Sequence, residues 1–501
     1  MSKAKRRLRG AAFTIVAVTA LTAAFSQPLS AAKPSSTAAV SGAAAAAACD
    51  KVPTGVQVSD HFLPFTVPAG LMPDPQFDGL SAELQVHRVQ PIYAHGKCHS
   101  VPNRAAVLIH GRTVYGPAVF DLRQPAPEGG ELSIQKALAR AGIDTFAPNL
   151  LGYGRSTRFA HGLDDPGNAS LPAYNTDGTC SYPAGCDRTH VPVFPLDQQG
   201  AAQDPTLFTN PLGGQRRAHS SNVRFARVDT FVRDIRQVID DAIARAQPSD
   251  GKVTLVGYSA GGQHVGRTLY AANPNPLLPH SDQYIAKVNR VVFAASLFGF
   301  PTEETPPPTG FATFPLHVFT GGGPGNLPPD REAACTGRVV QGSREQVAAQ
   351  IREEDPVGAQ WGGTIPGHPT GLGRSPVFSS YGWNTEVVRQ LTTPTLVIHG
   401  LEDEVTPVAN ADTIYNNLPV TNKVLVKVAC GSHTFVWEGC SGHRCTPTSG
   451  TPYGGAPGAP WAGPHSTIKA ALIEWIKSGT FNGASNGKFT VNESGVASAG
   501  P

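Results

Sequence analysis

Residues 252–270 have the sequence KVTLVGYSAGGQHVGRTLY, in which a short apolar run passes through a glycine-rich turn into helical spacing. The apolar run, residues 253–256, is typical of a strand buried on both faces. The turn places Ser259 midway between Gly257 and Gly261. A sharp strand-to-helix turn strains the serine backbone, and side chains two residues away on either side would collide, which explains the two glycines. The pattern therefore predicts a serine hydroxyl that stands free above the sheet.

The same pattern also fits a plain glycine-rich turn in which the serine is incidental. The rest of the chain favours the first interpretation, because further apolar runs alternate with helical segments. The runs that predict strands are residues 105–109, 144–148, 288–295, 395–398 and 424–428. This alternation predicts an α/β fold with a mostly parallel central sheet and helices on both faces. In such sheets the ligand site lies beyond the carboxyl ends of the strands.

Two further chemical groups follow later strands, in the chain order Ser, Asp, His. Asp403 lies in the segment HGLEDEVTP at 399–407, and His433 lies in GSHTF at 431–435. A serine hydroxyl needs an imidazole to accept its proton, and the imidazole needs a carboxylate to hold its tautomer and stabilise its charge. Asp403 is the expected acid; the alternatives are Glu402, Glu404, Glu303 and Glu304.

These motifs in this order resemble the α/β-hydrolase superfamily across nearly all of residues 56–477. The resemblance implies that Ser259 is the nucleophile, Asp403 the orienting acid and His433 the general base. It also implies an oxyanion hole formed by the backbone N–H groups of Ala260 and Arg112. The segment LGYGRST at 151–157 resembles the loop after the fourth strand of this superfamily.

Other residues near these motifs receive different interpretations. His110 is expected to support loop structure, and His264 to be a packing or surface residue on the helix after Ser259. The Arg112 side chain has no role in the prediction. Serine at position 259 argues against haloalkane dehalogenases and epoxide hydrolases, which use aspartate there. The segment HGRT at 110–113 lacks the H-G-G-G of one large esterase group.

The chain is expected to divide into several segments. These are a signal peptide at 1–32, a low-complexity spacer at 33–48, a hydrolase core at 49–297 and 383–480, an insertion of about 158–222 within that core, a cap insertion at 298–382 and a loose tail at 481–501. The cap is predicted from its break in the strand–helix alternation and its scattered aromatic residues.

The first residues indicate export. A basic head precedes an apolar run at 11–25, and Ser30-Ala31-Ala32 is a small-residue cleavage site. The apolar run is short for a membrane span, so no stable anchor is expected. The formal net charge of the whole chain is +3, and loss of the five basic residues of the signal leaves −2. A near-neutral mature protein argues against nucleic acid as a partner.

All eight cysteines follow the predicted signal, which favours disulfides in an exported chain. Cys180/Cys186 and Cys440/Cys445 bracket short loops and are the first expected pairs; Cys49/Cys98 and Cys335/Cys430 follow by elimination. A zinc site is the competing interpretation, but the chain has no C-x-x-C pair. No metal or organic cofactor is predicted.

The leading functional prediction is a secreted, monomeric serine hydrolase that cleaves small carboxylic esters. The first alternative is an exported prolyl or tripeptidyl aminopeptidase, in which Glu353, Glu354 and Asp355 would bind the substrate amine. The same acids also fit a solvated helix end, which is the favoured interpretation. A non-catalytic binding protein on the same fold is the second alternative, and the complete Ser/Asp/His set argues against it.

Overall fold

The computed structural model describes residues 49–164, 223–270, 272, 275–278, 281–304, 311–316, 337–360 and 367–500. The predicted signal peptide, the spacer and nearly all of the 158–222 insertion lie outside these residues. No helix in the described part of the chain is both long enough and apolar enough to cross a membrane.

The strands and helices alternate along the chain as the apolar runs predict. The strands are β1 (Gly55–Thr66), β2 (Ser81–Ile92), β3 (Arg104–Ile109), β4 (Ile143–Pro148), β5 (Ala226–Arg227), β6 (Val253–Tyr258), β7 (Val288–Ala294), β8 (Phe311–Pro315), β9 (Leu372–Pro376), β10 (Phe378–Ser379), β11 (Thr395–Gly400), β12 (Lys423–Val428), β13 (Gly487–Val491) and β14 (Ala497–Ala499). The helices are α1 (Gly116–Phe120), α2 (Ile134–Arg140), α3 (Val228–Ala246), α4 (Ala260–Thr268), α5 (Ser281–Ala286), α6 (Ser343–Glu354), α7 (Thr385–Val388), α8 (Val408–Asn417) and α9 (Pro464–Ser478).

In the described residues, ten strands form one sheet in the order β1-β2-β4-β3-β6-β7-β11-β12-β13-β14. The pairs from β4 through β13 are parallel, and the antiparallel pairs lie at the two edges. Every residue of β6 and of β11 is buried, as expected for strands covered on both faces. The fold is therefore the predicted α/β class with a mostly parallel sheet.

Helix α3 shows why the flanking helices form. Its apolar residues recur at helical spacing, and Phe231, Ile235, Val238 and Ile239 have no exposed surface. Burial of such a stripe stabilises the helix by roughly 1.5–3 kcal/mol for each large side chain. Helix α3 packs against α4, the helix that begins directly after Ser259.

The expectation of a loose tail over 481–501 is wrong for most of that segment. Residues 487–491 form β13, which pairs in parallel with β12, and residues 497–499 form β14, which pairs with β13. Phe489 and Val491 are buried at the sheet edge, and this apolar contact keeps the segment in place. The tail therefore extends the sheet and covers the edge that β12 would otherwise expose.

Part of the segment predicted as a cap lies within the described residues. It contains helix α6 and the antiparallel pair β8–β9. Buried Asp355 and Arg374 tie its two parts together through a bidentate ion pair of 2.8 and 2.6 Å. Arg374 also donates to the carbonyl of Leu163 at 2.6 Å, so this segment is bound to the first residues of the predicted 158–222 insertion.

Two of the expected disulfides are present, Cys49–Cys98 and Cys440–Cys445. Cys430 is also disulfide-bonded. Its expected partner Cys335, like the expected pair Cys180/Cys186, lies outside the described residues.

Candidate active site

Ser259 lies at the sharp turn between β6 and α4, with φ 55° and ψ −122°. This is a strained conformation for a residue with a side chain. A Cβ on Gly257 would lie 2.6 Å from the carbonyl oxygen of Gly261, and a Cβ on Gly261 would lie 2.3 Å from that of Ile109. Both glycines are therefore required by close backbone approach, as the sequence pattern predicts.

The structure brings Ser259, His433 and Asp403 into one hydrogen-bonded chain. His433 Nε2 lies 2.9 Å from Ser259 Oγ, and His433 Nδ1 lies 2.9 Å from Asp403 Oδ2. Asp403 follows β11 and His433 follows β12, so the parallel sheet delivers all three residues to its carboxyl edge. Such an arrangement allows the imidazole to accept a proton from the hydroxyl while the carboxylate holds its Nδ1–H.

Asp403 is held by several donors from its own loop. Its Oδ1 accepts hydrogen bonds from the backbone N–H groups of Val405 at 2.9 Å and Thr406 at 2.8 Å. The Thr406 hydroxyl donates to Oδ2 at 2.6 Å, and His399 Nε2 lies 3.3 Å from the same oxygen. Burial raises the pKa of Asp403, but hydrogen bonds from His399, His433 and Thr406 outweigh burial and hold the pKa well below its usual range. The carboxylate is therefore charged at any ordinary pH.

The loop that carries His433 is fixed from two sides. The Tyr258 hydroxyl donates to the His433 carbonyl at 2.7 Å, which connects this loop to the turn at Ser259. Glu438 lies on the other side, and its carboxyl group is buried in the loop. This group accepts hydrogen bonds from the N–H of Ser432 at 2.8 Å and from the Ser432 hydroxyl. It also accepts one from the Thr434 hydroxyl at 3.1 Å. Residues on both sides of His433 are thus anchored to one acid.

The predicted oxyanion donors lie next to Ser259. A Cβ on Gly111 would lie 2.7 Å from Ser259 Cβ, so the backbone before Arg112 directly contacts the serine. Among the described residues, no backbone carbonyl accepts a hydrogen bond from the N–H of Ala260 or from that of Arg112. Both groups are therefore free to donate to a developing oxyanion.

His110 orients the peptide group that carries the Arg112 N–H. Its Nε2 accepts a hydrogen bond from the N–H of Leu150 at 3.2 Å, so the ring proton is on Nδ1 and is donated to the Gly111 carbonyl at 2.7 Å. That carbonyl and the Arg112 N–H belong to the same planar peptide and point in opposite directions. Burial lowers the pKa of His110 to about 4, so the ring stays neutral near pH 7. This geometry agrees with the expected supporting role of His110.

The other candidate acids lie elsewhere. Glu304 pairs with Arg227 at 3.2 Å and accepts from Ser379, while Glu303 is exposed. In the described residues neither Glu402 nor Glu404 makes the hydrogen bond to His433 that Asp403 makes. The structure therefore places Asp403, and none of its alternatives, at the imidazole.

The three acids considered for amine binding are engaged in structural contacts. Glu353 pairs with Arg123, and Glu354 accepts from the Asn149 amide at 2.8 Å. Asp355 is 1% exposed and binds Arg374, Arg158 and the N–H of Gly358. A buried carboxylate with this many partners is typical of a structural ion pair.

His264 is a buried packing residue, one of the two roles expected for it. Its ring centroid lies 4.7 Å from that of Phe231 and 5.2 Å from that of Phe378. Burial lowers the pKa of His264 to about 3, so its ring is neutral. Its contacts explain why it does not replace His433.

Four residues of the site were not predicted: Tyr258, His399, Thr406 and Glu438. His399 is the first residue and Thr406 the last but one of the segment 399–407 that contains Asp403, and Tyr258 stands directly before Ser259. Their proximity in sequence is a signal that could have identified them. Glu438 offers no such signal, because its role depends on the fold of the His433 loop. In the described residues, no group of His, Cys, Asp and Glu side chains has the arrangement of a metal site.

The alpha/beta hydrolase family model matches residues 106–443, a span that contains Ser259, Asp403 and His433. The chain belongs to the alpha/beta hydrolase family. No curated protein sequence is similar enough to the chain to be matched to it.

Several solved structures are similar to the chain at low identity. A bromoperoxidase from Bacillus anthracis is 16% identical, with 71% of this chain and 90% of that chain covered and a TM-score of 0.34. An esterase from a Rhodococcus species is 14% identical, with 70% and 88% covered and a TM-score of 0.34. A monoacylglycerol lipase from Paleococcus ferrophilus is 14% identical, with 76% and 96% covered and a TM-score of 0.34.

Proposed function

We propose that the protein is a secreted serine hydrolase that cleaves carboxylic esters through an acyl-enzyme. The observation that carries the proposal is the continuous hydrogen-bonded chain from Ser259 Oγ through His433 to Asp403. It stands at the carboxyl edge of the sheet of a hydrolase family member, beside two backbone N–H groups for which the described residues provide no backbone acceptor.

The geometry supports a two-step reaction. Ser259 Oγ attacks the ester carbonyl carbon while His433 Nε2 takes the hydroxyl proton, and the N–H groups of Ala260 and Arg112 stabilise the oxyanion. The C–O bond to the alcohol then breaks, and His433 donates the proton to the departing alcohol oxygen. A water molecule attacks the acyl-enzyme, gives one proton to His433, and the carboxylic acid leaves as that proton returns to Ser259.

Asp403 contributes by holding the imidazole in the Nδ1–H tautomer and by stabilising its charged form. Its low pKa keeps it ionised throughout the cycle. The contacts from Thr406 and Val405 keep the carboxylate in place while the proton moves.

Ester cleavage is favoured over the aminopeptidase alternative by the contacts of the acids near the cap. An aminopeptidase needs free carboxylates to bind the substrate amine, whereas Glu353, Glu354 and Asp355 already have cationic or amide partners. The two disulfides of the described residues support an oxidising compartment and hence export.

A paired assay tests the proposal. The purified mature protein is given a chain-length series of p-nitrophenyl esters and a set of aminoacyl p-nitroanilides, with Ser259→Ala as the blank. We expect Ser259-dependent cleavage of esters. Anilide cleavage within about a hundredfold of ester cleavage, which is roughly 2.7 kcal/mol of barrier, would instead support the peptidase. Equal rates in the wild-type protein and Ser259→Ala would contradict a serine hydrolase.

A further inference from the structure

Arg112 carries a positive charge and follows Gly111, whose backbone contacts the proposed nucleophile Ser259. The side chain of Arg112 is exposed. Among the described residues it has neither an ion-pair partner nor a side-chain hydrogen bond. The buried guanidinium groups near the site differ in this respect: Arg267 pairs with Asp229 at 3.0 Å, and Arg374 pairs with Asp355 at 2.6 Å. Arg112, whose backbone follows the glycine that contacts the reacting serine, thus has no counter-ion among the described residues.

The position of the Arg112 guanidinium is restricted by its surroundings. Its central carbon lies 5.8 Å from the centroid of the Phe378 ring, which belongs to β10 in the predicted cap. That ring is held in turn by Phe231 at 5.1 Å and by His264. A guanidinium over an aromatic face gains a modest cation–π attraction and keeps its N–H edge free for an anion. The guanidinium therefore extends from the loop at 110–113 to Phe378 of the predicted cap, and its donors remain available.

The backbone of Arg112 is restrained as well. The next residue, Thr113, has φ 69°, and its hydroxyl donates to the Arg112 carbonyl at 2.6 Å. A non-glycine residue in the left-handed region is uncommon and often accompanies a functional turn. One residue thus carries both an N–H expected in the oxyanion hole and a cationic side chain on the same Cα.

We propose that the Arg112 guanidinium binds a carboxylate of the substrate, so that the preferred esters carry a negative charge close to the scissile carbonyl. This inference rests on the proposed ester hydrolysis at Ser259. A planar guanidinium can donate two parallel hydrogen bonds to a carboxylate, and a neutral acyl chain makes no use of them. Such a substrate would supply the counter-ion that the described residues do not.

Two esters of equal length test the proposal: p-nitrophenyl valerate and mono-p-nitrophenyl glutarate, in which a carboxylate replaces the terminal methyl group. The readout is the ratio of kcat/KM for glutarate to that for valerate, corrected by the Ser259→Ala blank. We expect the ratio to fall about tenfold or more in Arg112→Gln, because a hydrogen bond to a charged group is lost. In Arg112→Lys, which keeps the charge but not the bidentate geometry, the ratio should be intermediate.

The ratio distinguishes an effect of the Arg112 side chain from an effect of its backbone N–H. A change in the oxyanion hole alters kcat/KM for both esters and therefore leaves their ratio unchanged. Arg245→Gln is the matched control: it removes an exposed arginine paired with Asp241 on α3, and its ratio should equal that of the wild type. The wild-type ratio should also fall from low salt to about 0.5 M salt, where exposed charges are screened. An equal loss for both esters, or no loss, in Arg112→Gln would overturn the proposal.

Binding without turnover provides an independent test. Monomethyl glutarate is titrated by calorimetry into Ser259→Ala and into the double variant Ser259→Ala/Arg112→Gln. The inference requires binding at least about tenfold weaker in the double variant; equal affinity refutes it. If neither p-nitrophenyl ester shows Ser259-dependent cleavage, the proposed function fails, and the titration still decides whether Arg112 recognises a carboxylate.

Discussion

The carboxyl group of Glu438 accepts a hydrogen bond of 2.8 Å from the backbone N–H of Ser432, the residue immediately before His433. It also accepts from the hydroxyl of Thr434, the residue immediately after His433. Arg338, from the predicted cap, lies 3.6 Å from this acid, and the Arg338 carbonyl accepts from the N–H of Gly439 at 2.6 Å. One buried acid therefore connects the His433 loop to the segment predicted as a cap.

Glu438→Gln should lower kcat by about 10- to 100-fold with little change in KM. The glutamine amide would place its NH₂ group opposite an N–H or O–H that now donates a hydrogen bond to the carboxylate. The His433 loop would then lose part of its anchor, while the contacts to the substrate would remain. Steady-state kinetics with the preferred p-nitrophenyl ester measure both constants.

Glu345→Gln, the same chemical change at an exposed position on α6, is the control and should behave as the wild type. A KM effect without a kcat effect in Glu438→Gln would show that the acid does not act through His433.

Asp403→Asn should lower kcat by about 10³- to 10⁴-fold, because the amide favours the wrong imidazole tautomer and no longer stabilises the charged ring. Glu304→Gln serves as the control, since Glu304 binds Arg227 and Ser379. Equal losses in the two variants would refute the assignment of the acid.

Because the pKa of Asp403 is held well below its usual range, protonation of Asp403 should add no step to the profile of kcat/KM above about pH 4.

Gly111→Ala should reduce kcat/KM by about a hundredfold. The added methyl group would lie 2.7 Å from Ser259 Cβ and 3.2 Å from its Oγ, so the serine or the loop at 110–113 must shift. Gly55→Ala at the start of β1 is the matched control, since its Cβ meets Ile92 at 3.9 Å, an ordinary contact. Unfolding curves show whether lost activity in Gly111→Ala merely reflects lost stability; wild-type activity would contradict the close approach.

The position of His87 between two carboxylates predicts that the protein loses stability at alkaline pH. Its Nδ1 lies 2.7 Å from Asp60 and its Nε2 lies 2.9 Å from Asp121. Burial lowers the pKa of His87, but the hydrogen bonds and charges of Asp121 and Asp60 outweigh it and raise the pKa to about 9. The pKa of His87 is higher in the folded protein than in the unfolded chain. Charged His87 therefore contributes fully to the free energy of unfolding below about pH 6.5, and this contribution is lost as the pH rises through about 9.

The charged His87 contributes about 2 kcal/mol to the free energy of unfolding. This figure is lower than the pKa shift alone would give, because the side chain of Asp60 is 38% exposed and solvent screens its charge. Urea unfolding at about pH 6 and about pH 10 measures it. The wild-type protein should lose about 2 kcal/mol more unfolding free energy over this range than His87→Gln does. An equal pH dependence in both proteins would show that His87 is not charged between the two acids.

Much of the site could be predicted because its parts are local in sequence. The turn at Ser259 needs glycines at 257 and 261 whatever surrounds it, and the buried strands have recognisable apolar runs. Asp403 and His433 each follow such a run, so their arrival at one sheet edge follows from parallel pairing. The expectation of a loose tail is wrong because β13 is short. The strand is stabilised by pairing with β12, and the sequence alone does not reveal that β12 has a free edge.

The sequence by itself determined the α/β class and the family, since the periodicity of apolar residues and the spacing of motifs are properties of neighbouring residues. Tertiary structure alone decided that the expected acid Asp403, and not the alternative Glu304, reaches His433, that Glu438 anchors the His433 loop, and that no counter-ion for Arg112 stands among the described residues. Those facts depend on distances between segments far apart in the chain. A hydrogen bond forms only where folding brings the two groups within about 3 Å, and an ion pair only within about 4 Å.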